Sequence, residues 1–173
     1  DKKDYLTKNY INIPLNTLKS KLYSTTNEYC DEFLKIYEKK KFDIIEIHNR
    51  PLVLKYLAEK TNSSFVLYFH NNPLSMKGSV TVKERENLLE ISDKIVFISK
   101  WVKKKFFEGL KYKDSDKAEI IYHSINKQKK FYKKKKYITF VGKLNYAKGY
   151  DIFRDAVTNI LNEYTKPPLS LYE

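Results

Sequence analysis

The sequence is poor in cysteine, arginine and glycine, and these shortages exclude several classes of protein. Cys30 is the single cysteine among 173 residues, which excludes an internal disulfide and a zinc site built on cysteine ligands. The four glycines form neither a P-loop nor a G-x-G-x-x-G turn. No apolar run approaches the roughly 18–20 residues of a membrane span, and no signal-peptide pattern opens the chain. We therefore expect a cytoplasmic protein from a reducing compartment.

The excess of positive charge consists almost entirely of lysine. The chain has 34 Lys+Arg against 21 Asp+Glu, a formal net charge of +13, and only three of its basic residues are arginine. Base readout and bidentate phosphate contacts favour the planar fork of arginine over the point charge of lysine. We therefore interpret most lysines as a solvated surface and do not expect nucleic acid as a partner. An anionic ligand or an anionic membrane surface stays open as an alternative.

Hydrophobic patterning predicts alternating helices and strands. A helix from Asn27 shows an apolar face at positions i, i+3, i+4 and i+7 that includes the cysteine. Further helices are predicted over 51–60, after a capping box at Thr81, from Ser99 to Gly109, and over 153–164. The predicted strands are 43–48, 65–69, 94–98, 118–122 and 137–141. Such alternation indicates βαβ units, and hence a Rossmann-like, doubly wound parallel sheet whose strands are covered on both faces.

The length of 173 residues suits one ordinary domain and is too short for two complete α/β domains. We predict a Rossmann-like domain over 1–126, incomplete at its start, then a basic linker over 127–136. Residues 137–173 are expected to begin a second Rossmann-like domain with its first βα unit, and 169–172 to begin one more strand. Because the first residue is Asp1 and not methionine, we expect an excised piece of a longer chain.

Polar residues follow the predicted strands, at the edge where ligands of parallel sheets bind. All three histidines of the chain, His48, His70 and His123, lie just after a strand. We therefore predict that they share one polar cleft. Other polar residues at this edge are Asn49, Arg50, Asn71, Asn72, Ser99, Ser124 and Asn126.

The segment from Gly142 to Gly149 places Lys143 and Lys148 just before the last predicted helix. Two ammonium groups beside the positive end of a helix dipole suit a diphosphate, whose charge grows when it leaves in a reaction. Two solvated lysines in a lysine-rich chain would give the same spacing. The residues alone leave both readings open.

Four segments of the sequence together resemble the motifs of family 4 glycosyltransferases with the GT-B fold. They occur in the family order, and the resemblance extends over about residues 42–164. The segments are 42–51 (FDIIEIHNRP), 69–76 (FHNNPLSM), 92–99 (SDKIVFIS) and 140–149 (FVGKLNYAKG).

This resemblance implies two Rossmann-like domains with an active site between them. It implies transfer of a sugar from a nucleotide-sugar to a glycan or lipid-linked acceptor, with retention of configuration and without a metal or other cofactor. His70 matches the family histidine beside the transferred sugar and is the catalytic candidate. The implied donor diphosphate ligands are Lys143, Lys148, Gly142 and Gly149. The implied acceptor-side residues are His48, Asn49, Arg50, Asn71 and Asn72. Polysaccharide or lipopolysaccharide biosynthesis is the setting that the resemblance suggests.

The sequence departs from the family pattern at two positions. Ser124 stands where a glycine is usual, and Lys143 replaces the commoner arginine. Since half of the implied donor site lies past Glu173, we expect this chain alone to be inactive. A non-catalytic Rossmann-like module for a nucleotide or another anion is the alternative. A third hypothesis is a peripheral membrane or nucleic-acid contact through the basic, aromatic helix at 100–107. For this helix we favour the interpretation that Val102 and Phe106 face the core and the lysines face water.

Overall fold

The computed structural model describes residues 24–125 and 137–164 of the chain. The chain divides into two compact units, Asp1–Ile125 and Asn126–Glu173, and each is described by itself. The predicted linker at 127–136 and the predicted final strand at 169–172 lie outside the described residues.

The first unit is a four-stranded, all-parallel sheet with helices packed against it, a Rossmann-like α/β arrangement in general terms. Its strands pair in the order β1-β2-β3-β4. A short 3₁₀ turn, Pro73–Ser75, lies between β2 and α3. The elements in chain order are α1 (Thr25–Lys39), β1 (Ile44–His48), α2 (Pro51–Ala58), β2 (Ser64–Phe69), α3 (Val82–Ile91), β3 (Lys94–Phe97), α4 (Lys100–Phe107) and β4 (Ala118–Ile120).

The helix starts of the first unit follow from local chemistry. Pro51 occupies the first turn of α2, where its missing N–H would be unpaired in any residue. The Thr81 hydroxyl accepts from the Glu84 N–H, and the Glu84 carboxylate accepts from the Thr81 N–H, so the predicted capping box is present. Ser99 caps α4 by accepting from the Val102 N–H. These three starts lie where the sequence predicts them.

One face of the sheet and the helices over it form the core. In β1 the side chains alternate exposed and buried, and the buried Ile45 and Ile47 pair in register with Phe65 and Leu67 of β2. Each helix adds buried apolar side chains to the same cluster. Those that are fully enclosed are Cys30 of α1, Leu54 of α2, Leu88 of α3 and Phe106 of α4. Burial of each large apolar side chain stabilises the fold by roughly 1.5–3 kcal/mol.

The opposite face of the sheet is more open than the sequence predicts. The apolar run of β2 is typical of a strand covered on both faces, yet Val66 and Tyr68 are only half-buried. On the edge strand β1, Ile44 keeps 64% of its surface exposed. Among the described strands the order never reverses, so the expected doubly wound arrangement is not seen there. Right-handed crossovers in one direction place successive helices on one side of a sheet, which explains the difference.

The apolar residues of helix α4 pack mainly into the core. Val102, Phe106 and Phe107 are buried in the core, while Trp101 at the start of the helix is exposed. The apolar spacing of this basic helix is therefore explained by packing against the sheet. Within the described residues, no helix combines the length and the apolar character needed to cross a membrane.

The second unit consists of one helix and the segment that leads into it. Helix α5 spans Tyr150–Tyr164, starting three residues before the predicted 153–164, and follows a 3₁₀ turn at Tyr146–Lys148. The strand predicted at 137–141 is wrong, because those residues form no ladder with another strand. Strand propensity cannot replace a hydrogen-bonding partner, and the described part of this unit offers none. Phe140 instead packs on Tyr150 and Phe153, with ring centroids 5.6 and 5.2 Å apart.

Candidate functional site

Four side chains at the carboxyl ends of the strands form one row of hydrogen bonds, here called the histidine chain: Glu46, His48, His70 and His123. Oε1 of Glu46 lies 2.5 Å from Nε2 of His48. Nδ1 of His48 lies 2.7 Å from Nε2 of His70, and Nδ1 of His70 lies 2.8 Å from Nε2 of His123. The structure therefore brings together all three histidines that the sequence placed at strand ends.

The contact between His70 and His123 joins residues that follow strands which are not neighbours in the sheet. Neighbouring strands lie about 4.8 Å apart, so β2 and β4, which flank β3, are separated by about 10 Å. The side chain of His123 therefore reaches past the end of β3 to contact His70. Up to Ile121 the chain stays beside β3, because the Ile121 N–H donates to the Phe97 carbonyl at 3.0 Å.

Asn49 holds the ends of β1 and β2 together. Its backbone N–H donates to the Tyr68 carbonyl at 2.8 Å, and its side-chain Oδ1 accepts from the His70 N–H at 2.7 Å. Asn49 is also the one non-glycine residue of the described chain with a positive φ, 53°. Asparagine tolerates this left-handed conformation better than most residues. Asn49 therefore fixes the backbone from which the His70 ring projects.

The environment of the histidine chain disfavours extra positive charge on its central ring. Partial burial is the main cause that lowers the pKa of His70, and the neighbouring His48 and His123 lower it further, while Glu46 opposes them. Tyr68 stacks on His48 with ring centroids 4.7 Å apart. Burial and the carboxylates of Glu46 and Glu119 raise the pKa of Tyr68, so its phenol stays neutral at physiological pH.

An open groove runs between α1 and β1, next to the histidine chain. Tyr29 and Phe33 of α1 contribute aromatic surface to it, and Glu46, His48 and Arg50 contribute polar groups. Two of the five predicted acceptor-side residues, His48 and Arg50, therefore line one groove. The groove thus combines flat apolar surface with a carboxylate, an imidazole and a guanidinium.

The other polar residues that follow the strands differ in their hydrogen bonds. Asn72 accepts from the Leu74 N–H and so caps the 3₁₀ turn after β2. Asn71 is exposed, and its side chain has no hydrogen bond within the described residues. Ser99 caps α4. Of the predicted acceptor-side residues, Arg50 and Asn71 are therefore exposed with side chains that none of the described hydrogen bonds engages.

In the second unit, Lys143 and Lys148 are both exposed in the segment before α5. The Asn145 side chain and carbonyl both accept from the Lys148 N–H at 3.1 Å, which fixes the turn. Gly149 then adopts a φ of +70°, which suits glycine, and α5 begins at the next residue. The predicted order of two lysines followed by a helix start is present, although no strand precedes it.

Carboxylates that could hold a metal do not converge in the described parts of the chain. Asp114 and Asp116 have a metal-like D-x-D spacing, but they precede β4 and so lie at the opposite end of the sheet from the histidine chain. Asp114 Oδ1 is 2.6 Å from Nζ of Lys103, which lowers the pKa of this carboxyl. Asp114 is therefore part of an ion pair, while the Asp116 carboxylate accepts from the Ser115 hydroxyl.

Sequence reasoning did not select Glu46, and it placed His123 in the shared polar cleft without giving it a role. Glu46 precedes His48 by two residues on a strand, so both side chains lie on the same face of the sheet. That period-two relation was the available signal. His123 follows a predicted strand, but the contact with His70 depends on the path across β3, which the sequence does not reveal.

No protein-family model, curated protein or solved structure matches this chain. The fold and the histidine chain therefore define the class of the first unit: a Rossmann-like parallel α/β unit with a polar site at the carboxyl ends of its strands.

Proposed function

We propose that this chain is the acceptor-side part of a retaining, metal-independent glycosyltransferase of the GT-B kind, with the beginning of its donor-binding domain. One observation carries the proposal. The polar residues that the family-like motifs place after separate strands, His48 and His70, meet in one hydrogen-bonded group at the ligand-binding edge of a parallel sheet. The substrates would be a nucleotide-sugar donor and a glycan or lipid-linked acceptor, at a cytoplasmic location.

The groove beside β1 supports an acceptor of this kind. Aromatic rings such as those of Tyr29 and Phe33 offer flat apolar surface to one face of a sugar ring. Glu46 and Arg50, which also line the groove, can accept from and donate to sugar hydroxyl groups. A concave surface with few, well-placed polar groups is typical of sites for small polar ligands.

The segment before α5 supports a diphosphate-bearing donor. Lys143 and Lys148 are exposed cations, and the N-terminus of a 15-residue helix follows directly. The helix dipole adds about half a positive charge at that end. Fixed positive charge at this position would stabilise a leaving diphosphate more than a bound one, since negative charge accumulates there during transfer.

Binding of nucleoside diphosphates tests the proposal. We expect millimolar uridine or guanosine diphosphate to perturb backbone amide resonances between Gly142 and Tyr150, and the paired K143A/K148A variant to lose the effect. Exposed Lys104 and Lys111 provide the matched control, because K104A/K111A removes the same two charges from a different surface. Uridine without phosphate should have no effect.

Two outcomes would contradict this part of the proposal. One is the absence of any perturbation at millimolar nucleotide. The other is the same perturbation in the K143A/K148A variant, which would indicate general attraction to a lysine-rich surface. Nucleotide binding by a longer chain that transfers no sugar would favour the alternative, a non-catalytic nucleotide-binding module.

A further inference from the structure

The hydrogen-bond contacts of the histidine chain determine which ring nitrogen carries a hydrogen in each histidine. An ionised carboxylate only accepts hydrogen bonds, so Nε2 of His48 carries a hydrogen toward Glu46. In the neutral ring, Nδ1 of His48 then holds a lone pair, and Nε2 of His70 must donate to it. By the same step, Nε2 of His123 donates to Nδ1 of His70. All three rings therefore carry their hydrogen on Nε2.

One atom of the row is left open by this assignment. Nδ1 of His123 holds a lone pair and has no hydrogen-bond partner among the described residues, and the side chain is exposed. Both nitrogens of His70, in contrast, are occupied by its two neighbours. The atom able to take a proton from a ligand is therefore on His123, although the family resemblance points to His70.

We propose that Glu46, His48, His70 and His123 act as one proton relay, with Nδ1 of His123 as the general base for a ligand hydroxyl group and Glu46 as the final acceptor. This role rests on the proposed function, which supplies a hydroxyl-bearing acceptor. Glu46, His48 and His70 are positioning residues in this scheme, since they act through His123.

The proton balance of the relay closes without any further reactant. The ligand O–H bond breaks, and its proton bonds to Nδ1 of His123. The hydrogen on Nε2 of His123 moves to Nδ1 of His70, and that on Nε2 of His70 moves to Nδ1 of His48. The hydrogen on Nε2 of His48 moves to Oε1 of Glu46. The carboxylate becomes a neutral carboxylic acid, every ring stays neutral, and the ligand oxygen keeps the electron pair for attack.

The same hydrogen-bond contacts limit how many protons the histidine chain can take up. Each N···N contact holds one hydrogen, because two hydrogens facing each other at 2.7–2.8 Å would clash. As long as the contacts persist, the three histidines together take up one additional proton and not three. The other titratable or charged groups around the row are Arg50 beside β1, Tyr68 on β2, Lys94 on β3 and Glu119 on β4, and Lys94 and Glu119 pair with each other at 2.6 Å.

Nitrogen-15 NMR of the imidazoles tests the relay directly, because the chain contains only these three histidines. With EDTA present to exclude metal ions, we expect the Nε2–H form of all three rings at pH 8.5. On acidification we expect one shared proton uptake that all three rings report. Amide spectra recorded at each pH verify that the fold is intact.

Variants separate a relay from three independent rings. E46Q keeps a hydrogen-bond acceptor but removes the charge, so proton uptake at His123 should shift to lower pH, although His48 and His70 stand between the two residues. E119Q removes a carboxylate from the same sheet face without touching a histidine and should leave His123 unchanged. In H70F, which keeps a ring but no nitrogen, the E46Q change should no longer reach His123.

Independent uptake of three protons in the folded chain, or no response of His123 to E46Q, would overturn the relay. These measurements need no nucleotide. A relay in a chain that binds no nucleoside diphosphate would refute only the proposed function, whereas nucleotide binding with three independent histidines would refute only the relay.

Discussion

Asn49 combines a strained backbone with a hydrogen bond, and substitutions can separate the two contributions. In N49G the left-handed backbone persists without strain, but the His70 N–H loses its acceptor. A lost hydrogen bond to a partly buried group costs about 1–2 kcal/mol. N49A loses the same acceptor and in addition places a Cβ in the left-handed region, for about 1 kcal/mol more. We therefore expect free energies of unfolding lowered by about 1–2 kcal/mol in N49G and by about 2–3 kcal/mol in N49A.

Urea denaturation followed by circular dichroism measures these differences, provided that the slope of the transition stays constant. The neighbouring Asn71 gives the control, since N71A alters an exposed side chain without a described hydrogen bond and should change stability by less than about 0.5 kcal/mol. Amide hydrogen exchange at His70 should accelerate in both Asn49 variants. Equal stability of N49A and N49G would refute the strain argument, and an unchanged N49G would refute the hydrogen-bond argument.

Two further predictions concern the core and a helix start. Burial, together with the negative charge of Asp31, raises the pKa of the Cys30 thiol to about 11. We therefore expect no reaction of the folded chain with a disulfide reagent at pH 8, and reaction of one thiol per chain in denaturant. Rapid reaction of the folded chain would contradict the burial of Cys30. T81A should lower the free energy of unfolding by about 0.5–2 kcal/mol at pH 7, because it removes the cap of α3. The Thr81 N–H and hydroxyl lower the pKa of the Glu84 carboxyl, so their stabilisation is complete above the pKa of unfolded Glu and disappears as the pH falls through the lowered value. Urea titrations of wild type and T81A from pH 7 to pH 3 should therefore show a difference that shrinks, because the Thr81 hydroxyl loses its bond to a carboxylate, but does not vanish, because the hydroxyl still accepts from the Glu84 N–H. A difference that vanishes would argue against the hydroxyl cap as its source.

The positions of the elements in the first unit were predictable because they depend on local patterns. The apolar period of α1, with Cys30 and Tyr37 on one face, needs only the geometry of a helix. The caps at Thr81 and Ser99 depend on residues three positions apart. Such short-range relations are written in the order of the residues, and the structure reproduces them.

Features that depend on distant partners were not predictable. Residues 137–141 have strand-like side chains, but strand formation needs a neighbouring backbone, and propensity alone does not provide one. The exposure of Ile44 depends on which elements cover the second face of the sheet. The link from Glu46 to His123 requires the register of several strands and the path of the chain past β3, and neither follows from motif spacing.

The short strand β4 makes the contact between His123 and the rest of the histidine chain easy to open. β4 is three residues long and, among the described strands, pairs only with β3. Short edge elements open locally at a smaller free-energy cost than that of global unfolding. Each such opening withdraws His123 and frees Nδ1 of His70. The central imidazole would therefore alternate between a bridging state and an open state that can contact a ligand itself, at a frequency set by the fraying of one sheet edge.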